Sequence, residues 1–295
     1  MIHTPVLTKD VLQYLDPKPN ENFVDCTVGE GGHTILILEK NGPMGKVIGI
    51  DWDPQQIKNS KLKIKGFNNR LVLVNDSYTN LQKIVDGNNL DSVDGILLDL
   101  GMSSVQLEDS QRGFSFQRNE QLDMRYDNNL NGLTASIILN DWPEEKIEEI
   151  LREYGEENFS KKIASKIIEE REKIKIESTF QLAEIVKDAT PSAYWRGRIH
   201  YATRTFQALR IAVNSELENL KNVLPQAISI LSPGGRIAII SFHSLEDRIV
   251  KNFFREKEKQ GIVKILTKKP ITAGAEEITL NPRSRSAKLR AIIKN

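Results

Sequence analysis

The chain has 295 residues, 39% of them hydrophobic and 27% charged, with a formal net charge of +1 at pH 7. This length can bury a large core and favours one large domain with a smaller one. The composition excludes a membrane span, because no apolar run is long enough, and the single cysteine, Cys26, excludes an internal disulfide. The first residues, Met1-Ile2-His3, begin no signal peptide, so these features predict a cytoplasmic protein.

The near-neutral total charge hides two basic segments. Residues 248–295 contain 13 Lys and Arg against 4 Asp and Glu, a local charge of +9, whereas the first 247 residues sum to −8. Residues 192–213 contain four arginines and no acid. Such segments indicate either a polyanionic partner or a solvated surface, and charge alone does not decide. The histidines are too scattered in sequence to predict a metal site, so we expect no metal requirement: His3, His33, His200 and His243.

The first elements with a clear pattern are a strand, a glycine turn and a helix. An apolar run, Phe23–Asp25, is followed by Gly29-Glu30-Gly31-Gly32 and by a helical pattern from His33 to Lys40. Doubly wound nucleotide-binding folds begin in this order, and glycine is expected where a side chain would collide with a ligand. Thr34 replaces the third glycine of the G-x-G-x-x-G fingerprint, which disfavours a pyrophosphate but does not disfavour a ligand with one adenosine and no phosphate. A turn without a ligand is the alternative.

The second strand ends in an acid that suits a ribose. Asp51 follows Gly29 by 22 residues, and an acid at this distance, at the end of the second strand, accepts hydrogen bonds from ribose hydroxyls. The alternative is that Asp51 and Asp53 only cap the next helix. We assign the cap to Asp53 and the ribose to Asp51.

The third and fourth strands also end in residues that suit a ligand. Tyr78 follows the third strand and can either cover an adenine or simply pack. The fourth strand, Val93–Leu98, is followed by Asp99 and by the hydroxyls of Ser103 and Ser104. They lie at the edge where open α/β sheets bind ligands.

After Gln106 the alternation of strands and helices stops, and it returns near residue 200. In between, residues 110–200 are predicted to form a loop and amphipathic helices with their own small core. The sequence then predicts a long helix from Thr203 to about Leu224 and three strands, at 236–242, 262–266 and 289–293. The predicted fold is α/β, a seven-stranded, Rossmann-like methyltransferase sheet with an inserted, mainly helical domain. The sheet domain is discontinuous, covering 1–109 and 201–295.

Six unusual stretches occur in one order along the chain. They are Gly29–His33, Leu97–Leu107, Arg112–Phe116, Ala202–Ile211, Ser241–Arg248 and Pro282–Ser286. Together they resemble the ribosomal RNA small subunit methyltransferase H family, the bacterial cytidine-N4 methyltransferases of 16S rRNA. The resemblance covers the whole chain from His3.

The resemblance implies a cofactor, S-adenosylmethionine (SAM), and the residues that bind it: Gly31, Gly32, His33, Asp51, Tyr78, Asp99 and Gln106. The family usually has Phe at position 78 and Pro where this chain has Val105. The implied substrate is one cytidine in the decoding region (P site) of 16S rRNA, methylated on N4, and the implied partner is the small ribosomal subunit. No membrane is expected; the oligomeric state is not fixed by the sequence, and a homodimer stays open.

The catalytic group cannot be read from a motif. The lone pair of cytosine N4 is delocalised into the ring, so a hydrogen-bond acceptor is needed to localise it and to remove a proton. Many amino-methyltransferases use an Asn/Asp-Pro-Pro-aromatic motif, where this chain has Asp99-Leu100-Gly101-Met102. Our candidates are Asp99, Ser103 and His243. Asp99 could instead bind the methionine amino group, and His243 could be a core residue.

The basic segments supply candidates for RNA contact. Chemistry on N4 requires an unstacked base, and arginines hold phosphates bidentately. The candidate RNA-binding residues are Trp195, Arg196, Arg198, Arg204, Arg210, Arg283 and Arg285. The aromatic residues of this set could instead pack the insertion. Two other classes of protein stay open: an NAD-dependent dehydrogenase, which the missing third glycine and the arginine-rich tail disfavour, and a non-catalytic RNA-binding module, which would have no use for Asp51 or the glycine turn.

Overall fold

The computed structural model describes most of the chain, namely residues 5–67, 69–88, 90–103, 106–107, 111–127 and 132–295. The chain divides into two compact units, of which the first comprises Met1–Gly101 and Leu217–Asn295 and the second Met102–Glu216. The second unit therefore begins before and ends after the insertion proposed at 110–200. Residue 110 itself, like Ser104 and Val105, lies outside the described residues.

The first unit is built on one mixed sheet. Its described strands are β1 (Phe23–Asp25), β2 (Val47–Asp51), β3 (Leu71–Asn75), β4 (Gly95–Asp99), β5 (Arg236–Ser241), β6 (Val263–Ile265), β7 (Ile271–Thr272) and β8 (Lys288–Lys294). The order is β3-β2-β1-β4-β5-β8-β6, with β7 also paired to β8. Strands β1 to β5 are parallel, and β8 runs antiparallel to its neighbours. The predicted fold class is confirmed, and the two-residue strand β7 is the one addition to the predicted seven.

The described helices follow in chain order. They are α1 (Thr8–Leu15), α2 (Gly32–Lys40), α3 (Pro54–Lys63), α4 (Leu81–Gly87), α5 (Ala135–Asp141), α6 (Glu144–Glu153), α7 (Ser160–Arg171), α8 (Thr179–Asp188), α9 (Ser192–Trp195), α10 (Thr203–Asn214), α11 (Glu216–Ile230), α12 (Ser244–Lys259) and α13 (Ala275–Leu280). None of the helices in the described ranges is long and apolar enough to cross a membrane.

The sheet of the first unit has an apolar cluster on each face. Ile48 and Ile50 belong to one cluster, whereas Val47 belongs to the other, as the two-residue period of a strand requires. Strands buried on both faces form near-continuous apolar runs, which is why β2, β4 and β5 could be recognised in the sequence. The parallel strands β1, β2 and β4 end at Asp25, Asp51 and Asp99, so the sheet brings three acids to one edge.

The second unit has an apolar core of its own. The helical spacing predicted the buried faces of α6, α7 and α8 correctly: Ile147, Ile150, Leu151, Ile163, Ile167, Leu182, Ile185 and Val186 all lie in one buried cluster. The sequence predicts a solvated, glutamate-rich face from Glu144 to Glu157; the glutamates up to Glu156 are exposed or half-buried, but Glu157 is buried, because it accepts a hydrogen bond from the Tyr194 hydroxyl.

The single long helix predicted after residue 203 is wrong. Helix α10 ends at Asn214, Ser215 has a left-handed backbone (φ 51°), and α11 begins at Glu216. The Asn214 side chain donates to the carbonyl of Met124 (2.8 Å) and accepts from the Tyr126 N–H (2.9 Å). Asn and Ser have low helix propensity, and these distant backbone partners favour the break.

Candidate active site

The edge of the sheet at Asp25, Asp51 and Asp99 forms the candidate active site of the first unit. Asp51 holds the glycine turn: one carboxylate oxygen accepts from the Gly29 N–H and the other from the Asp53 N–H, both at 2.9 Å. Asp53 in turn caps α3 by accepting from the Gln55 N–H (3.0 Å). The prediction that Asp53 is the cap is confirmed, and Asp51 as the ribose acceptor stays a prediction.

The Asp51 carboxyl is perturbed by its surroundings. Burial raises the pKa of Asp51 to about 7, more than the two backbone hydrogen bonds lower it. Each of its oxygens accepts one hydrogen bond from a backbone N–H, and a carboxylate oxygen has room for a second. A ligand that donates two hydroxyl protons would stabilise the charged form, because hydrogen bonds to a carboxylate favour ionisation.

The glycines of the turn are required by the packing of the chain itself. Gly31 has a φ of +85°, and a Cβ there would lie 2.4 Å from Ile64 Cδ1. A Cβ on Gly32 would lie 2.8 Å from Pro5 Cγ. Packing within the chain therefore already requires glycine at these two positions, and the expectation that glycine also makes room for a ligand stays a prediction.

A buried network that the sequence analysis missed lies behind the turn. Asp25 is 1% exposed, and its carboxylate accepts from the Thr34 hydroxyl (2.6 Å) and the Thr27 N–H (3.2 Å). The Thr27 hydroxyl accepts from the Asp99 N–H (2.7 Å), which links the turn to the end of β4. Burial raises the pKa of Asp25. Thr34, noted above only as a missing glycine, is the partner of this acid.

His33 and Asp99 present buried polar atoms without partners. His33 Nε2 lies 3.5 Å from Asp99 Oδ2, and His33 is 6% exposed. Within the described residues, neither ring nitrogen of His33 nor Asp99 Oδ1 has a hydrogen-bond partner. A buried polar atom without a partner costs roughly 1–3 kcal/mol, so these atoms indicate a ligand with polar groups.

Tyr78 begins a short 3₁₀ helix, Tyr78–Asn80, directly after β3. Its ring is half-buried and packs against the same apolar cluster as Val74 and Leu100. The packing alternative is therefore realised, and contact with an adenine stays a prediction.

Two other candidates have local structural roles. In the second unit, Ser103 Oγ accepts from the Gln106 N–H (3.1 Å), and Gln106 Oε1 accepts from the Ser103 N–H (3.0 Å). In the first unit, His243 is the N-cap of α12 in a capping box: Glu246 accepts from the His243 N–H (3.3 Å), and His243 Nδ1 accepts from the Glu246 N–H (3.5 Å). These bonds explain why the residues are polar without any catalytic role, so Ser103 and His243 as bases remain hypotheses.

The predicted RNA-binding residues of the second unit differ in solvent exposure and in the hydrogen bonds that they form. Arg196 and Arg198 are exposed, and among the described residues they form no hydrogen bond or ion pair. Trp195 is 39% exposed and donates its indole N–H to Thr190 (3.0 Å). Arg204 donates to the carbonyl of Glu156 (3.1 Å).

Arg210 is paired with an acid of the same unit. Its guanidinium binds the Glu216 carboxylate through two hydrogen bonds, at 2.8 and 3.0 Å. This pair occupies the bidentate edge that a phosphate would need. In the first unit, Arg285 is exposed and Arg283 half-buried.

Aromatic packing fixes the segment that carries Arg196 and Arg198. His200 stacks on Phe116, with ring centroids 4.3 Å apart, and also contacts Tyr201 at 4.0 Å. The Tyr194 hydroxyl donates to Glu157 (2.6 Å), and burial, with this bond, raises the pKa of Tyr194 to about 12. The aromatic rings therefore serve packing, while the arginines between them stay in solvent.

The strand order with an antiparallel last strand, together with a glycine turn held by a strand-end acid, defines the class of SAM-dependent methyltransferases with a Rossmann-like sheet. The whole chain, residues 1–295, matches the MraW methylase family, and it belongs to that family. Membership confirms the resemblance seen in the sequence and the expected cofactor, SAM.

Known relatives cover the full length of the chain. A protein of Pelobacter propionicus named ribosomal RNA small subunit methyltransferase H is 46% identical, over 99% of this chain and 98% of its own. A protein of the same name from a Sulfurihydrogenibium species is 49% identical, over 98% and 97%. Among solved structures, an rRNA methylase from Streptococcus thermophilus covers 97% of this chain and 93% of its own, with 10% identity and a TM-score of 0.44.

Proposed function

We propose that this methylase transfers a methyl group from SAM to N4 of one cytidine in the P-site region of 16S rRNA. The observation that carries the proposal is the full-length identity of 46–49% to proteins named ribosomal RNA small subunit methyltransferase H. The nucleotide and the atom come from the family resemblance of the six stretches described above. A dehydrogenase is not supported, because the chain belongs to a methylase family.

The residues at the sheet edge fit SAM. Asp51 has spare lone pairs for two ribose hydroxyls, and Asp99 Oδ1 and the His33 nitrogens are buried without partners. Asp99 offers a negative charge for the amino group of the methionine moiety. Bound SAM would supply an electrophilic methyl group on a sulfonium. Gly31, Gly32 and Tyr78 complete the proposed cofactor site of the first unit, whereas Gln106, in the second unit, is proposed from the family resemblance alone.

The protein's own part in catalysis is to position the cytidine amino group and to accept its proton. Positioning supplies much of the acceleration in an in-line displacement. Asp99 is the leading candidate, because its Oδ1 is a buried acceptor without a partner and its backbone is fixed by the Thr27 hydroxyl. The Asp99 carboxylate can bind either the amino group of the methionine moiety or the amino group of the cytidine at full strength, but not both. Ser103 and His243 remain the alternative acceptors.

Recognition of the RNA is assigned to arginines and one tryptophan. Arg196 and Arg198 carry uncompensated charge on a segment fixed by aromatic packing, and Trp195 lies beside them with a partly exposed ring. Arg283, Arg285 and, more weakly, Arg204 complete the proposed set. Arg210 is removed from it because of its pair with Glu216.

The test is transfer of labelled methyl groups to naked 16S rRNA and to assembled small subunits. The labelled RNA is digested to nucleosides, and mass spectrometry identifies the product. We expect N4-methylcytidine at one position, and loss of transfer in Asp99→Asn but not in Asp91→Asn, an exposed acid of the same unit. Methylation of another atom or of another RNA would contradict the proposed function. Full activity of Asp99→Asn would contradict the role of Asp99.

A further inference from the structure

Helix α12 carries four basic side chains along one side. Arg248, Lys251, Arg255 and Lys259 follow each other at intervals of three, four and four residues, which places them within an arc of about 80° on a helix. Three of them are exposed and Lys251 is half-buried. Val250 and Phe254, which lie on another side of the helix, are buried in the core of the first unit. We call these four residues the basic stripe.

The acids of the same helix are engaged away from the basic stripe. Glu246 caps the helix, and Asp247 binds the guanidinium of Arg290 at 2.6 and 3.2 Å. Glu258 accepts a hydrogen bond from the N–H of Ile265, the last residue of β6 (2.8 Å). Glu256 lies 3.6 Å from the neighbouring Lys257. None of these contacts involves a member of the basic stripe.

Some lysines on other helices are neutralised by acids of the same helix. On α7, Lys166 pairs with Glu170 at 2.9 Å, and on α8, Lys187 pairs with Glu184 at 3.0 Å. By contrast, the last three members of the basic stripe form neither an ion pair nor a hydrogen bond within the part of the chain that the structure describes. These three side chains therefore form a row of positive charge without local compensation on α12.

The geometry of the row points to an extended polyanion. From its first to its last member the stripe spans about 16 Å of helix, at 1.5 Å of rise per residue. A single anion could pair with one or two of these side chains, whereas a nucleic-acid backbone presents several phosphates over that length. We propose that the basic stripe binds the phosphate backbone of the RNA substrate, in addition to Arg283 and Arg285. This inference rests on the proposed function, since it assumes that the substrate is RNA.

The test compares two triple variants that remove the same charge from the same unit. The stripe variant is Lys251→Gln, Arg255→Gln and Lys259→Gln; the control is Lys58→Gln, Lys61→Gln and Lys65→Gln, all exposed in the native chain. Binding of a 16S rRNA fragment is measured by fluorescence anisotropy between 50 and 200 mM salt. Each phosphate contact contributes roughly 0.7–0.9 to the slope of log K against log salt. The slope of log K against log salt should therefore be smaller in magnitude by about 2 for the stripe variant than for the wild type.

The control variant should keep the wild-type slope, and both variants should keep the wild-type affinity for S-adenosylhomocysteine. An unchanged slope in the stripe variant, or an equal loss in both variants, would overturn the inference. So would an unchanged slope with weaker binding to assembled subunits, because that result points to an acidic protein partner. Failure of the proposed function is read separately, as the absence of N4-methylcytidine from RNA treated with the wild-type chain.

Discussion

The raised pKa of Asp51 predicts that cofactor affinity depends on pH. With a pKa of about 7 in the free protein, the carboxyl is ionised to roughly one tenth at pH 6 and nine tenths at pH 8. Hydrogen bonds to a charged acceptor contribute about 1.5–3 kcal/mol, against about 0.5–1.5 kcal/mol for a neutral one. If ribose hydroxyls bind the ionised form, affinity should fall about tenfold from pH 8 to pH 6, which corresponds to about 1.4 kcal/mol.

The measurement is calorimetric titration with S-adenosylhomocysteine at pH 6, 7 and 8, for the wild type and for Asp51→Asn. The variant should bind more weakly at pH 8 and should lose the pH dependence, because Asn does not titrate. Comparison of the two proteins at each pH removes the contribution of the ligand's own ionisable groups. Equal pH dependence in both proteins, or none in the wild type, would show that Asp51 does not bind the ligand through its charge.

The same group predicts a pH dependence of stability in the free protein. Because the folded pKa is raised above the unfolded value, the native state holds more protons between about pH 4 and pH 7, and the free energy of unfolding falls as pH rises through that window. Two pH units, from 5 to 7, correspond to at most about 2.7 kcal/mol, less for a partly solvated group. Urea unfolding should show this decrease in the wild type and a smaller one in Asp51→Asn.

Three further predictions concern packing and charge. Thr34→Val should lower the free energy of unfolding by about 1–3 kcal/mol, because it leaves the buried Asp25 carboxylate without its hydroxyl partner. Thr34→Ser should lower it less, and equal urea midpoints for the two variants would contradict this role. Gly31→Ala should destabilise the protein more than Gly66→Ala, because both glycines have a positive φ but only a Cβ at Gly31 would collide with a neighbour, Ile64. Equal decreases in the thermal unfolding midpoint would show that this contact is unimportant. Replacing Arg196 and Arg198 with Gln should reduce the salt slope of RNA binding by about 1.4 while leaving urea unfolding unchanged, and a change in unfolding alone would mean that they stabilise the fold.

The elements that could be predicted are those marked by local pattern. Apolar runs that end in Asp gave the strand ends at Asp25, Asp51 and Asp99, because parallel strands are buried on both faces and end at a polar edge. Likewise, the 3.6-residue period located the buried sides of the helices in the second unit. Asp53 as a cap followed from Pro54 at the first helical turn.

What could not be predicted depends on partners distant in the chain. The break at Ser215 involves bonds from Asn214 to residues about 90 positions earlier. The pair of Arg210 with Glu216 crosses that break, so its spacing of six residues is not one that a continuous helix would bring together. Thr34 could have been linked to Asp25 only as a polar residue on a helix start beside a buried acid, which is a weak signal without coordinates.

The strand order also has a consequence for synthesis of the protein. Strands β1 to β4 form one side of the sheet and leave the ribosome first, but β5, the neighbour of β4, follows only after residues 100–235. At 5–20 residues per second, this interval lasts about 7–27 s. Throughout it β4, whose residues Gly95–Leu98 are buried in the finished protein, is an apolar edge strand without a partner. Unpaired apolar edges are templates for aggregation, so the nascent chain depends on this edge being shielded until Arg236–Ser241 arrives to pair with it.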